Sequence, residues 1–433
     1  MKFAIYTLGC KVNQADSQSM QEILIKAGYE FVAPEAGADI YIINTCVVTN
    51  VGQQKSRQTI RKFIRENPNA MIIVTGCYPQ TAIGEVEGIP GVALIIGNKD
   101  RHKIAELIVE YQQENSTEPL NIVSDINMIH NFEDIPTGMH SEKTRAFLKI
   151  QEGCNQFCTY CIIPYARGRL RSRSLTSIKK EIENLVASGY KEVVLLGIHL
   201  GAYGKDFSEK ISLVNAVKTA LAVPGLERLR LGSLECIEIE DEMLELLATE
   251  SRLAKHLHLP LQSGSDSILR KMNRPYTVDE YRILIEKIRK KVPEIAITTD
   301  VIVGFPGETE NLFQETYKFM EELQFSKTHI FPFSRRKNTP AEKYPQQVLK
   351  EIKQQRVKQL TFLDQKSHES FLNMNKNKEE IVLFEQQKYG YFTGYTSNYI
   401  RVYVNSDSVN LENKLYSVIT QDVFKDGLMA VLK

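Results

Sequence analysis

Three of the seven cysteines in this sequence, Cys154, Cys158 and Cys161, lie within eight residues and have the spacing C-x3-C-x2-C. Three thiolates can hold three irons of a cubane iron–sulfur cluster and leave the fourth iron open for a small molecule. A structural zinc site would need four protein ligands. A redox disulfide with a spare thiol, or an incomplete zinc ribbon, is the alternative. We favour a cluster at this barrel trio, because three thiols so close together in an intracellular protein usually bind a metal or take part in catalysis.

Three more cysteines, Cys10, Cys46 and Cys77, each end a short apolar run that is rich in β-branched residues. Such runs predict buried strands, and helical patterns over residues 17–27 and 51–66 follow the first two, so we expect a parallel sheet. The ligand crevice of an open α/β sheet lies beyond the carboxyl ends of its strands. Unrelated core thiols would instead be scattered along the strands. These positions predict a second cluster site with an open iron, at what we call the N-terminal trio.

The chain has 433 residues, of which 42% are hydrophobic and 25% are charged, and its net charge is +1. This length suits two or three domains, and the composition is that of an ordinary globular protein. A nucleic-acid surface would have to be a local patch, because the whole chain is nearly neutral. An odd number of cysteines without a signal peptide predicts reduced thiols and a cytoplasmic protein, and no stretch approaches the roughly 20 apolar residues of a membrane span.

The pattern of strands and helices predicts three domains. The pattern in residues 1–112 predicts an open parallel α/β sheet, and the polar residues 114–140 are predicted to form the boundary of this domain. In residues 140–370, strand-like runs alternate with helical patterns, which describes a partial (β/α)6 barrel with its active site at the carboxyl ends of the strands. These runs lie near residues 146–151, 192–197, 227–232, 256–260, 296–304 and 328–333. Residues 371–433 hold five short strand-like runs that suit a small OB-like β-barrel, so we expect the α/β class with this barrel appended.

The loops that follow the barrel strands are rich in glycine and polar residues, which lets the backbone approach a ligand closely. We predict small-molecule contacts from five residues in or near these loops: Tyr160, Gly197, Glu235, Gln262 and Gly304. His256 and His258 alternate along one predicted strand, which favours pocket or core positions over a metal pair.

Basic and aromatic residues could contact RNA. Residues 167–173 hold four arginines, which predict either phosphate contacts or a solvated approach to a helix: Arg167, Arg169, Arg171 and Arg173. A second basic stripe follows Cys46 on a predicted helix and consists of Lys55, Arg57, Arg61 and Lys62. The C-terminal strands carry aromatic residues of the kind that stack on unpaired bases, or that simply pack a core: Tyr389, Tyr391, Phe392, Tyr395, Tyr399 and Tyr403.

The C-x3-C-x2-C spacing resembles the signature of the radical S-adenosylmethionine (SAM) enzymes, and nearly the whole chain resembles one family among them, the methylthiotransferases. The resemblance rests on Thr-Leu-Gly-Cys-Lys-Val-Asn-Gln at residues 7–14, Asn-Thr-Cys at 44–46, Thr-Gly-Cys at 75–77, the 154–161 motif and Leu-Gln-Ser-Gly-Ser-Asp at 261–266. It implies an N-terminal cluster domain, a radical SAM core and a C-terminal RNA-binding TRAM domain. It also implies that the six cysteines hold two [4Fe–4S] clusters and that the five loop residues contact SAM.

Within this family, Gly-Cys-Lys-Val-Asn-Gln at residues 9–14 is most similar to the branch that methylthiolates carbon 2 of N6-threonylcarbamoyladenosine at tRNA position 37. The branch that acts on isopentenyladenosine at position 37 is one alternative, and a non-catalytic RNA-binding iron–sulfur protein is the other. Carbon 2 of adenine carries an unactivated C–H bond that no side-chain base could deprotonate, so a cofactor must supply a radical. By resemblance, the barrel cluster cleaves SAM to the 5′-deoxyadenosyl radical, the N-terminal cluster carries the added sulfur, and each turnover uses two SAM.

The resemblance also implies the partners of the protein. They are the anticodon stem-loop of tRNA, a reduced electron donor such as a flavodoxin or a ferredoxin, and a sulfur donor, with no membrane involved. Both open irons must reach one adenine, so we expect the two trios to face a single cavity.

Overall fold

The structure is a computed structural model, and it describes residues 1–114, 118–138, 144–388, 390–405 and 410–433. It confirms the α/β class and the three predicted architectures, which are an open parallel sheet, a partial barrel and a closed five-stranded barrel. Tyr389 and parts of the predicted linker lie outside the described residues. Among the described residues, no helix has both the length and the apolar character needed to cross a membrane.

The N-terminal part of the chain is a parallel sheet with helices on both faces. Its strands are β1 (Lys2–Thr7), β2 (Glu30–Phe31), β3 (Ile40–Thr45), β4 (Met71–Gly76), β5 (Leu94–Ile96) and β6 (Leu120–Ile122), in the order β2-β1-β3-β4-β5-β6. Its helices are α1 (Lys11–Lys26), α2 (Asn50–Glu66), α3 (Cys77–Thr81), α4 (Ile83–Glu87) and α5 (Ile104–Glu114). Strand β6 lies in the segment that the sequence predicts to be a linker. It pairs with β5, and its apolar side chains pack against one face of the sheet.

The apolar runs of this sheet are buried on both faces, as parallel strands between two layers of helices require. In β3, Tyr41 and Ile43 pack on one face, and Ile40 and Ile42 pack on the other. Helix α1 begins at Lys11, earlier than the predicted residue 17, because Val12 and Ala15 in its first turns are buried.

The middle of the chain is a curved sheet of parallel strands, each close to its predicted position. The strands are β7 (Arg145–Lys149), β10 (Glu192–Leu196), β11 (Arg228–Leu231), β12 (His256–His258), β13 (Ala296–Val303) and β14 (Lys327–Pro332). Two three-stranded halves, β11-β10-β7 and β12-β13-β14, are joined by bridges between the β11 and β12 segments. A short hairpin after β7 pairs β8 (Gln151–Glu152) with β9 (Arg171–Ser172).

Helices cover the outer surface of this partial barrel. They are α7 (Leu175–Ala187), α8 (Leu213–Leu221), α9 (Asp241–Thr249), α10 (Asp266–Lys271), α11 (Val278–Lys291) and α12 (Glu310–Leu323), whereas the short helix α6 (Ile163–Arg167) packs against the N-terminal sheet. Leu257 of β12 packs against them in the main hydrophobic core. Because side chains alternate along a strand, His256 and His258 point the other way, into the barrel.

The long helix α13 (Lys350–Met374) leads into the C-terminal barrel. This barrel closes in the order β15-β16-β17-β19-β18. Its strands are β15 (Glu379–Lys388), β16 (Tyr391–Tyr395), β17 (Arg401–Val404), β18 (Leu415–Phe424) and β19 (Gly427–Leu432). Closure leaves no free sheet edge, which lets a barrel this small be stable beside a larger partner.

Candidate active site

The N-terminal trio lies at the carboxyl edge of three neighbouring strands. Cys10 directly precedes α1, Cys46 follows β3 and Cys77 begins α3. Gly9 has a φ of 107°, and a Cβ there would lie 2.8 Å from Cys46 Cβ and 3.1 Å from its sulfur. The Cys10 and Cys46 loops therefore touch, and the prediction that these thiols share one edge of the sheet is confirmed.

Buried amide side chains fix these loops. Asn13 Nδ2 donates to the carbonyls of Leu8 and Thr45, at 2.9 Å each. Asn98 Nδ2 lies 3.6 Å from the Cys77 sulfur and also donates to a carbonyl of α6 at 2.8 Å. The amide of Asn98 therefore links the N-terminal trio to the helix that follows the barrel trio.

The barrel trio lies on the loop between β8 and α6, as the partial barrel predicts. Gly153 has a φ of 74°, and a Cβ there would lie only 1.9 Å from the Arg169 carbonyl oxygen, so a side chain cannot be accommodated. Thr159 N donates to the Met272 carbonyl at 3.0 Å. These contacts hold the loop against the hairpin on one side and the end of α10 on the other.

Cys154 contacts an imidazole that is itself held by a carboxylate. Its sulfur lies 3.5 Å from His199 Nδ1, and His199 Nε2 lies 2.9 Å from Glu238. Burial lowers the pKa of His199, but its contacts with Cys154 and Glu238 outweigh burial and raise it to about 10. His199 therefore lies between the Cys154 sulfur and the Glu238 carboxylate and contacts both.

Cys158 contacts a buried arginine that sequence reasoning missed. Arg274 Nη1 lies 3.3 Å from the Cys158 sulfur, and its Nη2 forms an ion pair with Glu235. Tyr276 Oη accepts from Arg274 Nε at 3.1 Å. Burial raises the pKa of Cys158, and the guanidinium opposes that rise. Arg274 follows α10 in a stretch with no motif, so no signal in the sequence alone could have identified it.

The loops of the two trios pack against each other. Ile162, which follows Cys161, is buried in the same hydrophobic core as Val47, which follows Cys46. Cys77 belongs to this core as well. One hydrophobic core therefore joins segments that carry cysteines of both trios.

Buried charges join the N-terminal sheet to the barrel beside Cys10. The Asp16 carboxylate on α1 accepts from Lys149 at 2.5 Å and from Arg167 at 2.9 Å, and it pairs with Arg101 at 2.5 Å. Glu152 pairs with Lys149 at 2.7 Å and with Arg167 at 3.1 Å. Burial raises the pKa of each carboxyl, but the three cations outweigh burial and hold both pKa values below the ordinary range. Both acids are therefore ionised and fix α1 against β7.

This network corrects the interpretation of the arginine run. Arg167, Arg171 and Arg173 are buried, so neither phosphate contacts nor a solvated approach is right for them. Arg173 Nε donates to Asp134 at 2.8 Å. Arg169 is exposed. The partners of the buried arginines come from distant parts of the chain, and a local pattern of charge does not reveal them.

A cavity of about 220 Å³ has both Cys161 and residues that follow Cys46 in its wall, and we call it the inter-trio cavity. Val48 and Thr49, just after Cys46, form one part of its wall. Another part contains three residues of the barrel that the sequence singles out: Tyr160, Cys161 and Gln262. The wall also contains Asp300, Ile302 and Phe333, on β13 and just after β14, which sequence reasoning missed.

The other predicted SAM contacts lie outside the wall of this cavity. Glu235 pairs with Arg274. A Cβ on Gly197 would lie 2.8 Å from Gln151 Oε1, and a Cβ on Gly304 would lie 2.3 Å from Lys353 Cγ. Both glycines thus allow a neighbouring side chain, Gln151 or Lys353, to pack closely against the backbone. SAM contacts from the five residues stay predictions.

The spacing of the thiols fits a cluster better than a single ion. The ligand atoms of His258, Asp300 and His329 lie within 4.8 Å of one another, and no three cysteines of the described chain come that close. Three thiolates on one zinc ion would lie about 3.8 Å apart, given Zn–S bonds of ~2.3 Å and tetrahedral geometry. A cubane takes each thiolate on a different iron, so its three cysteines need not lie within that distance. Burial also raises the pKa of Cys46 to about 11 and that of Cys161 to about 12, so metal charge is needed to hold these thiolates.

The described C-terminal aromatic residues all contact other rings or the core of the protein, but Tyr391, Tyr395 and Tyr399 stay partly exposed. Phe392 and Tyr403 are buried. Tyr395 and Tyr399 stack at 4.8 Å between centroids. The guanidinium of Arg230 on β11 lies 4.4 Å from the centre of the Tyr399 ring. Tyr395 and Tyr399 therefore attach the C-terminal barrel to the middle barrel.

Comparison with known proteins supports the fold. Residues 2–97 match the model described as uncharacterized protein family UPF0004, and residues 148–320 match the Radical SAM superfamily. The fold is similar to that of the radical SAM methyltransferase TsrM from Kitasatospora setae, with a TM-score of 0.57 and 15% identity over 76% of this chain and 73% of that one. It is also similar to the cobalamin-dependent SAM radical enzyme OxsB, with a TM-score of 0.54 and 12% identity over 84% of this chain and 56% of that one.

Relatives in sequence span nearly the whole chain. It is 43% identical to threonylcarbamoyladenosine tRNA methylthiotransferase MtaB of Bacillus subtilis strain 168, over 92% of this chain and 89% of the relative. A protein of the same name from Aquifex aeolicus strain VF5 is 40% identical over 93% and 96%. The tRNA-2-methylthio-N(6)-dimethylallyladenosine synthase of Clostridium tetani is 37% identical over 95% and 87%. With both cysteine trios in place and this similarity over its length, the chain belongs to the methylthiotransferase family of radical SAM enzymes.

Proposed function

We propose that this protein adds a methylthio group to carbon 2 of N6-threonylcarbamoyladenosine at position 37 of tRNA. The inter-trio cavity supports this most directly, because its wall combines Cys161 with the residues that follow Cys46. An adenine held there would lie between a site of radical formation and a site of sulfur delivery, which gives the reacting groups the proximity they need. Relatives named for threonylcarbamoyladenosine are 43%, 40% and 37% identical, and relatives named for dimethylallyladenosine are 37% and 38% identical, so the two highest of these identities favour this substrate.

When bound, two [4Fe–4S] clusters on the trios and SAM supply the one-electron chemistry and the sulfur, which side chains cannot provide. The protein itself binds, orients and excludes water. Arg274 donates to the Cys158 sulfur and favours its thiolate. Tyr160 and Gln262, on the cavity wall, are placed to orient SAM or the adenine. Asp16 and its cations hold α1, and with it Cys10, against the barrel.

The proposal includes three domains, at residues 1–112, 140–370 and 371–433, of which the last serves as a TRAM domain. We propose that this last domain binds the anticodon stem-loop, and that the exposed Lys55 and Arg61 on α2 contact the same RNA. A reduced electron donor such as a flavodoxin or a ferredoxin and a sulfur donor complete the set of partners.

The test uses the full chain, reconstituted anaerobically with iron and sulfide and then given SAM and dithionite. Anticodon stem-loops with N6-threonylcarbamoyladenosine, isopentenyladenosine or unmodified adenosine at position 37 serve as substrates. Mass spectrometry of the nucleosides should show the methylthio group on the first substrate. If it forms on isopentenyladenosine instead, the branch is wrong. If no 5′-deoxyadenosine forms with any substrate, the protein is not this enzyme.

A further inference from the structure

A second cavity, of about 280 Å³, is enclosed by α1, the strands β12 to β14, helix α13 and the C-terminal barrel. It adjoins the inter-trio cavity. His258, on its wall, lies with Nε2 at 3.4 Å from the carboxylate of Asp300, on the wall of the other cavity. A ligand in the inter-trio cavity could therefore extend a substituent toward this second cavity.

The second cavity is cationic. Its lining contains three fixed positive charges, Lys11, Lys327 and Arg401, against one carboxylate, Asp426. Two of the cations are paired, because Lys327 contacts Asp364 at 2.5 Å and Arg401 contacts Asp426 at 2.7 Å. We call this space the cationic cavity.

Lys11 is the cation without a counter-charge. Its Nζ lies 5.8 Å from the centre of the Tyr399 ring, and no carboxylate within the described ranges pairs with it. An ammonium at the wall of a cavity favours an anionic ligand, because a charge-assisted hydrogen bond is stronger than a neutral one.

Imidazoles on the same wall add capacity for hydrogen bonds. His256 is buried, its Nε2 contacts Thr298 Oγ1 at 3.1 Å, and its Nδ1 has no partner in the described structure. Unpaired buried polar atoms are rare, so the Nδ1 atom points to a polar ligand. His329 lines the cavity as well, with its ring 5.8 Å from that of His258. A metal ion on His258, Asp300 and His329 is disfavoured, because the nearby lysines and arginine repel a cation.

The two candidate substrates differ most in charge. In adenine, carbon 2 and carbon 6 flank the same ring nitrogen and carbon 6 carries N6, so a substituent on N6 leaves the ring close to the reacting carbon. The threonylcarbamoyl group ends in a carboxylate and carries a hydroxyl, whereas an isopentenyl group is a hydrocarbon. A carboxylate buried without a partner is very costly. A hydrocarbon gains nothing from an ammonium.

We propose that the cationic cavity receives the threonylcarbamoyl group, with Lys11 bound to its carboxylate and His256 and His329 in hydrogen-bond contact with its polar atoms. This assignment rests on the proposed function and adds a specificity site to it. Lys11 and the imidazoles act on the binding of the substituent, while the chemistry occurs at carbon 2.

The test compares two anticodon stem-loops, one with the free carboxylate of threonylcarbamoyladenosine and one with its methyl ester. The wild-type protein should prefer the acid by roughly 10- to 100-fold in kcat/KM, the range of a charge-assisted hydrogen bond. K11Q should lose this preference through a higher KM for the acid alone, and K11R should restore most of it. H329F should reduce the preference independently. K318Q, which removes an exposed lysine on the outer helix α12, should keep it.

Iron content and the visible spectrum are measured for every variant, because Lys11 is next to Cys10. If K11Q loses iron, the proposal is tested with H329F instead, by its ratio of kcat/KM for the acid to kcat/KM for the ester. The proposal is overturned if the wild type prefers the acid and the variants keep the same ratio, or if the wild type does not distinguish acid from ester. Turnover of isopentenyladenosine without turnover of either threonylcarbamoyl substrate would refute the proposed function instead.

Discussion

The guanidinium of Arg274 lies 3.3 Å from the sulfur of Cys158 and also pairs with the carboxylate of Glu235. Arg274 is only 8% exposed, so water screens these contacts little. Hydrogen bonds to ligand sulfurs and the net charge around a cluster set its reduction potential. A cation in this position stabilises the reduced, more negative state of a cluster on the barrel trio.

We predict that R274M lowers the reduction potential of this cluster by about 60 mV, which equals a tenfold change for a one-electron couple. The loss of a charge-assisted hydrogen bond is of this size or larger. A redox titration followed by electron paramagnetic resonance measures the shift. R270M removes an exposed arginine of α10 and should leave the potential unchanged. Equal potentials in wild type and R274M would show that Arg274 does not tune the cluster.

Local signals in the sequence were sufficient to predict the framework of the site. The apolar runs of β1, β3 and β4 each end at a cysteine, and the edge of a parallel sheet brings such ends together. The barrel strands were predicted near their observed positions, because buried parallel strands read as continuous apolar runs. Cys154, Cys158 and Cys161 were assigned by spacing alone, which does not depend on the rest of the fold.

Contacts between distant segments were not predictable in the same way. Arg167 is buried against Asp16 and Glu152. The sequence predicts a charged residue to be exposed unless its partner is known, so this burial was not predicted. Arg274 and Asp300 reach the site by tertiary packing alone. Strand β6 was missed because three residues at the edge of a sheet carry too weak a pattern.

The buried pairs around Asp16 predict a large effect on stability. Replacement of Asp16 by Asn leaves Arg101, Lys149 and Arg167 short of negative charge and should reduce the free energy of unfolding by about 3–5 kcal/mol. Thermal unfolding of the reconstituted protein measures this loss. D422N breaks an exposed pair with Lys376 and should have little effect.

The same network predicts how the D16N effect depends on pH. Burial alone would raise the pKa of Asp16, but the three cations outweigh it and hold the pKa below its ordinary value. A group with a lowered folded-state pKa stabilises the fold above its unfolded pKa of about 4, and this stabilisation is lost as the pH falls further. The difference in melting temperature between wild type and D16N should therefore be constant from pH 5 to 8. A difference that fades within this interval would contradict the network.

The attachment of the C-terminal barrel depends on arginines of β11. Arg230 donates to the carbonyls of Ser397 at 3.1 Å and Thr396 at 3.3 Å, and its Nε donates to Glu192 at 2.8 Å. R230M removes these bonds and should increase cleavage between α13 and β15 roughly tenfold or more in limited proteolysis, because cleavage follows the population of the undocked state. R252M is the matched control, because it breaks the half-buried ion pair of Arg252 with Glu250 inside a single loop. Unchanged cleavage in R230M would mean that the barrel stays docked without this arginine.

The two trios predict a division of labour that single substitutions can separate. C158A removes a ligand at the barrel trio, so formation of 5′-deoxyadenosine from SAM and methylthiolation should both be lost. C10A removes a ligand at the N-terminal trio, so methylthiolation should be lost while SAM cleavage continues, because the barrel loop is held by its own contacts with the hairpin and α10. C236A removes a buried thiol outside both trios and should keep both activities. Chromatography of 5′-deoxyadenosine and mass spectrometry of the nucleoside, on samples with measured iron, follow the two activities separately. Loss of SAM cleavage in C10A, with iron retained at the barrel trio, would refute this division. It would mean that the core shared by Ile162 and Val47 couples the two sites.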